Sequence, residues 1–226
     1  MISCGNYMVR EAVLDEEYWA AAWLRAEIYT EGQPYFRALC NRYIESYQKR
    51  FAEQEFTALK RRCLGKQGQC LKCICLLAVA PEGLRNEIGM ISQLTLRDRV
   101  IGTLDVSIRQ LVRGENFPKE VVTASLFTVM EPERRCGYIA NVCVARSARR
   151  QGVASNLLEV AIKAAKSWKL KDLYVHVAIN NTAARRLYLK TGFQVVEDTA
   201  AEPSLRQEQL LCLWSALRMK TFLASV

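Results

Sequence analysis

A single histidine occurs in 226 residues, and no apolar run approaches the roughly 20 residues of a membrane-spanning helix. The longest apolar stretches, Cys73 to Ala80 and Leu210 to Leu217, are strand-sized and bounded by polar residues. They read as buried strands. One CxxC spacing is present, Cys70-Leu-Lys-Cys73 with Cys75 beside it, but no second CxxC and no His pair. A structural zinc needs that second pair, so no metal is expected. The nine cysteines are an odd count, and several fall inside apolar patterns. Cys40, Cys143 and Cys212 are therefore expected to be reduced, buried thiols acting as small hydrophobes, in a reducing compartment.

Lys and Arg outnumber Asp and Glu, 32 against 23. No Lys/Arg block is interleaved with aromatics, so nucleic acid is not an expected partner. The basic balance suits an anionic partner such as a phosphorylated cofactor or acidic peptides. The Gly-Lys-Ser/Thr of a Walker loop and the G-x-G-x-x-G of a dinucleotide site are both missing. The start, Met1-Ile-Ser-Cys-Gly, shows neither a signal-peptide apolar core nor an Arg/Ser-rich amphipathic presequence.

What is there fits one α/β domain able to bury a core. Tyr7 to Ala12 predicts a strand, and Asp15 a cap for a helix carrying Trp19, Trp23 and Ala26. Pro34 suits the first turn of a second helix, along which Phe36, Cys40, Tyr43, Tyr47 and Phe51 form an apolar stripe. Lys60, Arg61, Arg62 and then Gly65 mark its end. Strands follow at Cys73 to Val79, Val100 to Arg109 and Tyr138 to Val144, with a loop at Arg113 to Lys119. Val153 to Leu170 is helical, with Leu157, Leu158, Ala161, Ile162 and Ala165 on one face. A strand at Leu173 to Ala178, a helix at Thr182 to Lys190 closed by Gly192, and strands at Phe193 to Glu197 and Gln209 to Leu217 complete the order.

One junction carries chemistry. The strand Tyr138-Ile-Ala-Asn-Val-Cys-Val144 runs into the turn Arg149-Arg-Gln-Gly152-Val-Ala154 and then a helix. A helix N-terminus offers unpaired N–H groups and partial positive charge, which suits a pyrophosphate. Gly152 and Ala154 leave room for phosphate oxygens, and Arg149 and Arg150 add charge at the mouth.

This turn resembles the Arg/Gln-x-x-Gly-x-Gly/Ala loop of the GCN5-related N-acetyltransferase (GNAT) superfamily. Downstream, Asn181-Thr-Ala-Ala184-Arg-Arg-Leu187-Tyr188-Leu-Lys190-Thr-Gly192-Phe193 is similar to that family's Asn-x-x-Ala-x-x-Leu-Tyr-x-Lys-x-Gly-Phe. The likeness is firm from Val100 to Phe193. It implies a mixed central sheet of about six to seven strands flanked by about four helices. It also implies a single domain over residues 1–226. Residues 6–66 would shape the acceptor groove, 100–193 form the acetyl-CoA-binding core, and 194–226 supply the C-terminal strands.

The resemblance further implies where acetyl-CoA binds. Val142, Cys143 and Val144 would pair through their main chain with the pantetheine arm. Arg149, Arg150, Gln151, Gly152, Val153, Ala154 and Ser155 would hold the pyrophosphate. Asn180, Asn181, Thr182 and Ala183 would lie beside the arm. Tyr188 matches the tyrosine that protonates the departing thiolate, and a leaving thiolate does need such a donor.

A base is less sharply marked. The attacking amine must be neutral, while a lysine is mostly charged at neutral pH. His176 lies on the strand before the Asn180-Asn181 turn and Tyr138 on the neighbouring one. Leu173-Tyr-Val-His176-Val177 is similar to a stretch of the N-terminal acetyltransferase that acts on Met-starting peptides. A histidine titrates near neutrality and could take the proton directly or through water. Asp105 is a weaker candidate.

Val100-Ile-Gly-Thr-Leu-Asp105, Tyr174-Val-His176-Val177 and Leu210-Leu-Cys-Leu-Trp214 resemble the plant plastid group of these enzymes. That implies acetylation of protein N-termini and lysines in the chloroplast stroma, with a transit peptide absent from this chain, or else a cytoplasmic location. A small-amine acetyltransferase and a catalytically silent acyl-CoA-binding module remain alternatives. The loop from Arg113 to Glu133 is expected to decide between peptide and small-amine acceptors.

Overall fold

The computed structural model describes residues 2–4, 6–66, 70–81, 95–110, 135–196 and 210–217. The loop expected at Arg113 to Glu133 lies outside them. In chain order the elements are β1 (Ile2–Cys4), β2 (Tyr7–Glu11), α1 (Asp15–Gly32), α2 (Asn41–Cys63), β3 (Cys70–Val79) and α3 (Leu96–Arg99). There follow β4 (Val100–Gln110), β5 (Arg135–Val144), α4 (Val153–Ser167), β6 (Asp172–Ala178), α5 (Thr182–Lys190), β7 (Gln194–Val195) and β8 (Leu210–Ala216). The strands form one sheet in the order β1-β2-β3-β4-β5-β6-β8-β7. Every pairing is antiparallel except β5 with β6. The expected mixed sheet is present, with β1 added at its N-terminal edge.

Helices cover both faces, which explains why β3 reads as an unbroken apolar run rather than an alternating one. Ile74, Leu76 and Ala78 point into a cluster with Leu157, Leu158, Ala161 and Ala165 of α4. Cys75, Leu77 and Val79 point the other way, against Ala20, Ala21 and Leu24 of α1 and Leu59 of α2. Burying each of these leucines contributes about 1.5–3 kcal/mol. Gly102 lets α4 sit this close: a Cβ there would stand 2.7 Å from Val153 Cγ1.

Two helix starts differ from expectation. Asp15 does not cap α1; it pairs with Lys60 at 2.8 Å. The cap residue is Leu14, which has no side-chain oxygen, and Glu17 reaches back to accept from the N–H groups of Val13 (2.6 Å) and Leu14 (3.0 Å). Burial would raise the Glu17 carboxyl, but those two amides and the paired Arg10 hold it below the usual range.

The helix expected from Pro34 is interrupted. Pro34–Ala38 form a 3-10 turn, Leu39 and Cys40 are extended, and α2 starts at Asn41. Cys40 is exposed there rather than buried, while Cys143 and Cys212 are half-buried in the sheet. The aromatic stripe still packs, because Phe36, Tyr47, Phe51 and Tyr29 stack between the turn and the two helices. No described helix is long and apolar enough to cross a membrane.

Candidate active site

β5 and β6 run side by side for only three residue pairs, ending at Ile139 with Val175. β5 continues to Val144 and β6 to Ala178, so the two strands part beyond that point. At the same place β5 gains a residue against β4. Asp105 faces Ala140 and Thr103 faces Cys143, so Leu104 stands opposite both Asn141 and Val142. This is a β-bulge. Its left-handed residue is Asn141, at φ 53. The bulge turns the main chain of Val142, Cys143 and Val144 toward a strand edge that β6 has left, and an extended chain could pair there.

Two titratable side chains meet near that opening, and a third, Tyr188, lies near enough for Tyr138 and Cys143 to influence it. Tyr138 Oη and His176 Nδ1 are 3.0 Å apart. Tyr188, on α5, is 4% exposed and packs edge-on against Phe193. Burial pushes the Tyr188 phenol above its ordinary range, and the nearby Cys143 and Tyr138 add to that. A phenol so placed stays protonated at neutral pH, the form that can give a proton. Burial lowers His176 below its ordinary value and Arg109 lowers it further. Its imidazole is therefore neutral, the form that can accept one. Arg109 sits over the Tyr138 ring at 3.7 Å from its centre. Sequence reasoning missed Arg109, since nothing marks a strand-end arginine until the sheet pairs it with β5.

The turn before α4 has the expected form. Gly152 is the N-cap at φ 81, a backbone for which glycine has no penalty. A Cβ there would meet nothing within 4 Å, so glycine is required by conformation rather than crowding. Arg150 is left-handed as well, at φ 67, and exposed. Gln151 donates to the Ser147 carbonyl at 2.9 Å and shapes the turn. Arg149 is less free than expected: it pairs with Glu31 at 2.9 Å and donates to the Val144 carbonyl at 3.2 Å. Val153 is buried as an anchor of α4, while Ala154 and Ser155 are partly exposed behind it. The N–H groups of this first turn and the exposed Arg150 fit a pyrophosphate. Asn181 caps α5 by accepting from the Ala184 N–H at 3.1 Å. With Asn180, Thr182 and Ala183 it forms the exposed rim between β6 and α5.

A second polar cluster was not anticipated. Arg25 of α1 donates to both oxygens of Asp105 on β4, at 2.6 and 3.1 Å, to Thr103 at 2.9 Å and to Glu55 of α2 at 2.7 Å. Arg62 reaches the same two carboxylates, at 3.0 and 3.3 Å. Burial alone would raise the Asp105 carboxyl, but Arg25, Arg62 and the Asn141 amide hold it below the usual range. A carboxylate so satisfied is a poor proton acceptor, which sets Asp105 aside as a base. The available signal was an arginine on the Ala21, Ala22 and Ala26 face of α1, where a lone charge demands a partner.

A family model described as "Acetyltransferase (GNAT) family" matches residues 36–193, more than half of the chain. The chain belongs to that family. It is 49% identical over 195 residues to GCN5-related N-acetyltransferase 6, chloroplastic, of Arabidopsis thaliana, covering 85% of this chain and 63% of that protein. The Arabidopsis GCN5-related N-acetyltransferase 7, chloroplastic, is 32% identical over 223 residues, covering 96% and 78%. The chain thus spans just under two thirds of the first relative.

Among solved structures, a ribosomal-protein-alanine N-acetyltransferase from Brucella melitensis overlays with a TM-score of 0.51 at 17% identity, covering 92% of this chain and 99% of that one. PaiA N-acetyltransferase from Thermoplasma acidophilum, in complex with coenzyme A, overlays at 0.50 with 14% identity, covering 92% and 99%. These likenesses establish the shared fold.

Proposed function

We propose that this chain is an acetyl-CoA-dependent N-acetyltransferase of protein N-terminal α-amines and lysine ε-amines, acting by direct attack in a ternary complex. The observation that carries the reading is a buried, protonated Tyr188 together with a neutral His176 bonded to Tyr138 near where β5 and β6 part. Residues 1–226 would then act as one domain, with 6–66 forming the acceptor side, 100–193 the cofactor side and 194–226 closing the sheet. The family and the chloroplastic N-acetyltransferase relatives support the activity and a plastid setting.

Acetyl-CoA brings an acetyl group already activated as a thioester. Val142, Cys143 and Val144 would bind its arm through main-chain groups on the edge left by β6. The first turn of α4, from Gly152 to Ser155 with Arg150, would bind the pyrophosphate. Asn180 to Ala183 would border the arm. His176 takes a proton from the incoming ammonium, directly or through Tyr138, and the freed nitrogen lone pair becomes the nucleophile. The nitrogen would form its bond to the acetyl carbonyl carbon as the carbon–sulfur bond breaks. Tyr188 would give its phenol proton to the leaving sulfur, and the second proton shed by the acylated nitrogen would return to Tyr188 directly or through water. Burial keeps these groups uncharged at rest, so the proton donor and acceptor coexist at one pH.

Acetyl transfer from labelled acetyl-CoA should be measured on peptides with free N-termini or internal lysines, alongside serotonin and spermidine. Labelled peptides, lost in Tyr188→Phe, are the expected result. Label on the free amines alone would overturn the protein-acceptor reading. Tight acetyl-CoA binding with no product on any acceptor would mean a silent module.

A further inference from the structure

Asn141 is exposed, yet its side chain ends on a buried ion. Its amide nitrogen lies 2.9 Å from Asp105 Oδ2 and 3.5 Å from Glu55 Oε1. Asp105 sits beside the register shift that Asn141 creates. The same carboxylate is gripped in two-pronged fashion by Arg25 of α1 and a second time by Arg62 at the end of α2. A left-handed backbone costs a non-glycine residue about 1–2 kcal/mol, and it persists only where surroundings hold it. Asparagine visits this region more readily than most residues, and here its side chain is tied to Asp105.

The bulge does more than bend β5. It lies directly after the last β5–β6 pair, so its shape sets how the Val142 to Val144 main chain presents itself. We propose that Asn141, Asp105, Arg25 and Arg62 form a positioning relay through which α1 and α2 set the cofactor-binding edge of β5. The relay rests on the reading of that edge as the acetyl-CoA site. None of these four side chains is assigned to touch the reacting atoms; they act through the main chain of β5. The charges suit a fixed brace, because two guanidinium groups oppose two carboxylates and every distance between them is 3.3 Å or less. Such a cluster has no spare charge to lend to chemistry, but it is stiff.

Acetyl-CoA binding by the purified chain, measured by calorimetry without any acceptor, tests the relay. Thermal midpoints monitor the fold, and Asn141 is exposed enough for its variants to stay folded. Asn141→Ala loses the amide and also incurs the left-handed backbone penalty, and should weaken acetyl-CoA binding about tenfold. Asn141→Gly tolerates the backbone but lacks the amide, and should weaken binding roughly threefold. Arg62→Met, on α2, should weaken it by a similar roughly threefold factor. With saturating acetyl-CoA, turnover of Asn141→Ala should return close to wild type, raising KM while sparing kcat. Wild-type affinity in both Asn141 variants would overturn the relay. Wild-type affinity in Asn141→Gly alone would also overturn it, by assigning the effect to backbone conformation. If wild type binds acetyl-CoA but acetylates nothing, the relay stands while the enzymatic reading falls. If wild type does not bind, both fall.

Discussion

Two buried polar clusters flank β5, and burial acts on them with opposite outcomes. On the side of α1 and α2, Arg25, Arg62, Asp105 and Glu55 stay ionised, because each charge meets an opposite one at 2.6 to 3.3 Å. Toward β6, burial outweighs the neighbouring Arg109 at Tyr138 and adds to it at His176, keeping protons on the Tyr138 and Tyr188 phenols and off the imidazole. The first cluster resists proton movement and braces the fold. The second is uncharged at rest, and a proton can enter or leave it. That contrast separates structure from chemistry more clearly than burial alone does.

The comparison breaks most visibly at Arg25. Arg25→Ala would leave Asp105 buried with Arg62 as its one remaining charged partner among the described residues, and should lower stability by about 3–5 kcal/mol in thermal or urea unfolding. Tyr188→Phe is the counterpart on the neutral side. It should reduce kcat about 100- to 10,000-fold with little change in thermal midpoint, since it removes a proton donor and no packing volume. Gly102→Val should cost about 1–3 kcal/mol by pushing α4 off β4, and should weaken both clusters' support without touching either. Gly152→Ala should be milder, at about 1 kcal/mol, because the space is open and only φ 81 is unfavourable. It should also raise the KM for acetyl-CoA.

The clusters differ in pH response too. Asp105 is held below its ordinary 3.8, so the unfolded chain takes up that proton first and stability falls as pH descends through the acid range. His176 lies below its ordinary 6.5, so the unfolded chain again binds the proton first. Its stabilising share is present above 6.5 and is lost as pH falls through the folded value.

Much of the neutral cluster was legible in the chain because local patterns carry it. Tyr188 falls in Leu187-Tyr-Leu-Lys190-Thr-Gly192, and Gly152 opens a strongly amphipathic helix. His176 and Tyr138 were picked out by the likeness of their strands to the family; the apolar patterns gave only the strands. The charged cluster was not legible, because its members lie up to 80 residues apart and meet only once α1, α2 and β4 are stacked. The bulge at Asn141 is equally non-local: its extra residue exists only relative to the register of β4. At α1 a local rule misled. Asp15 looked like a cap, but Glu17 two residues on reached the free amides and Asp15 turned to Lys60. Past Pro34 the apolar spacing continued, yet Leu39 and Cys40 adopted extended backbone and left Cys40 in solvent.

The most direct test of the account is the pH dependence of kcat/KM for peptide acetylation, run on wild type and His176→Ala. The account predicts an acid limb in wild type centred below the ordinary imidazole value of 6.5, as a neutral His176 becomes charged and stops accepting protons. That limb should vanish in His176→Ala, leaving a lower, flatter rate. An identical limb in both proteins would contradict it and remove His176 from the reaction.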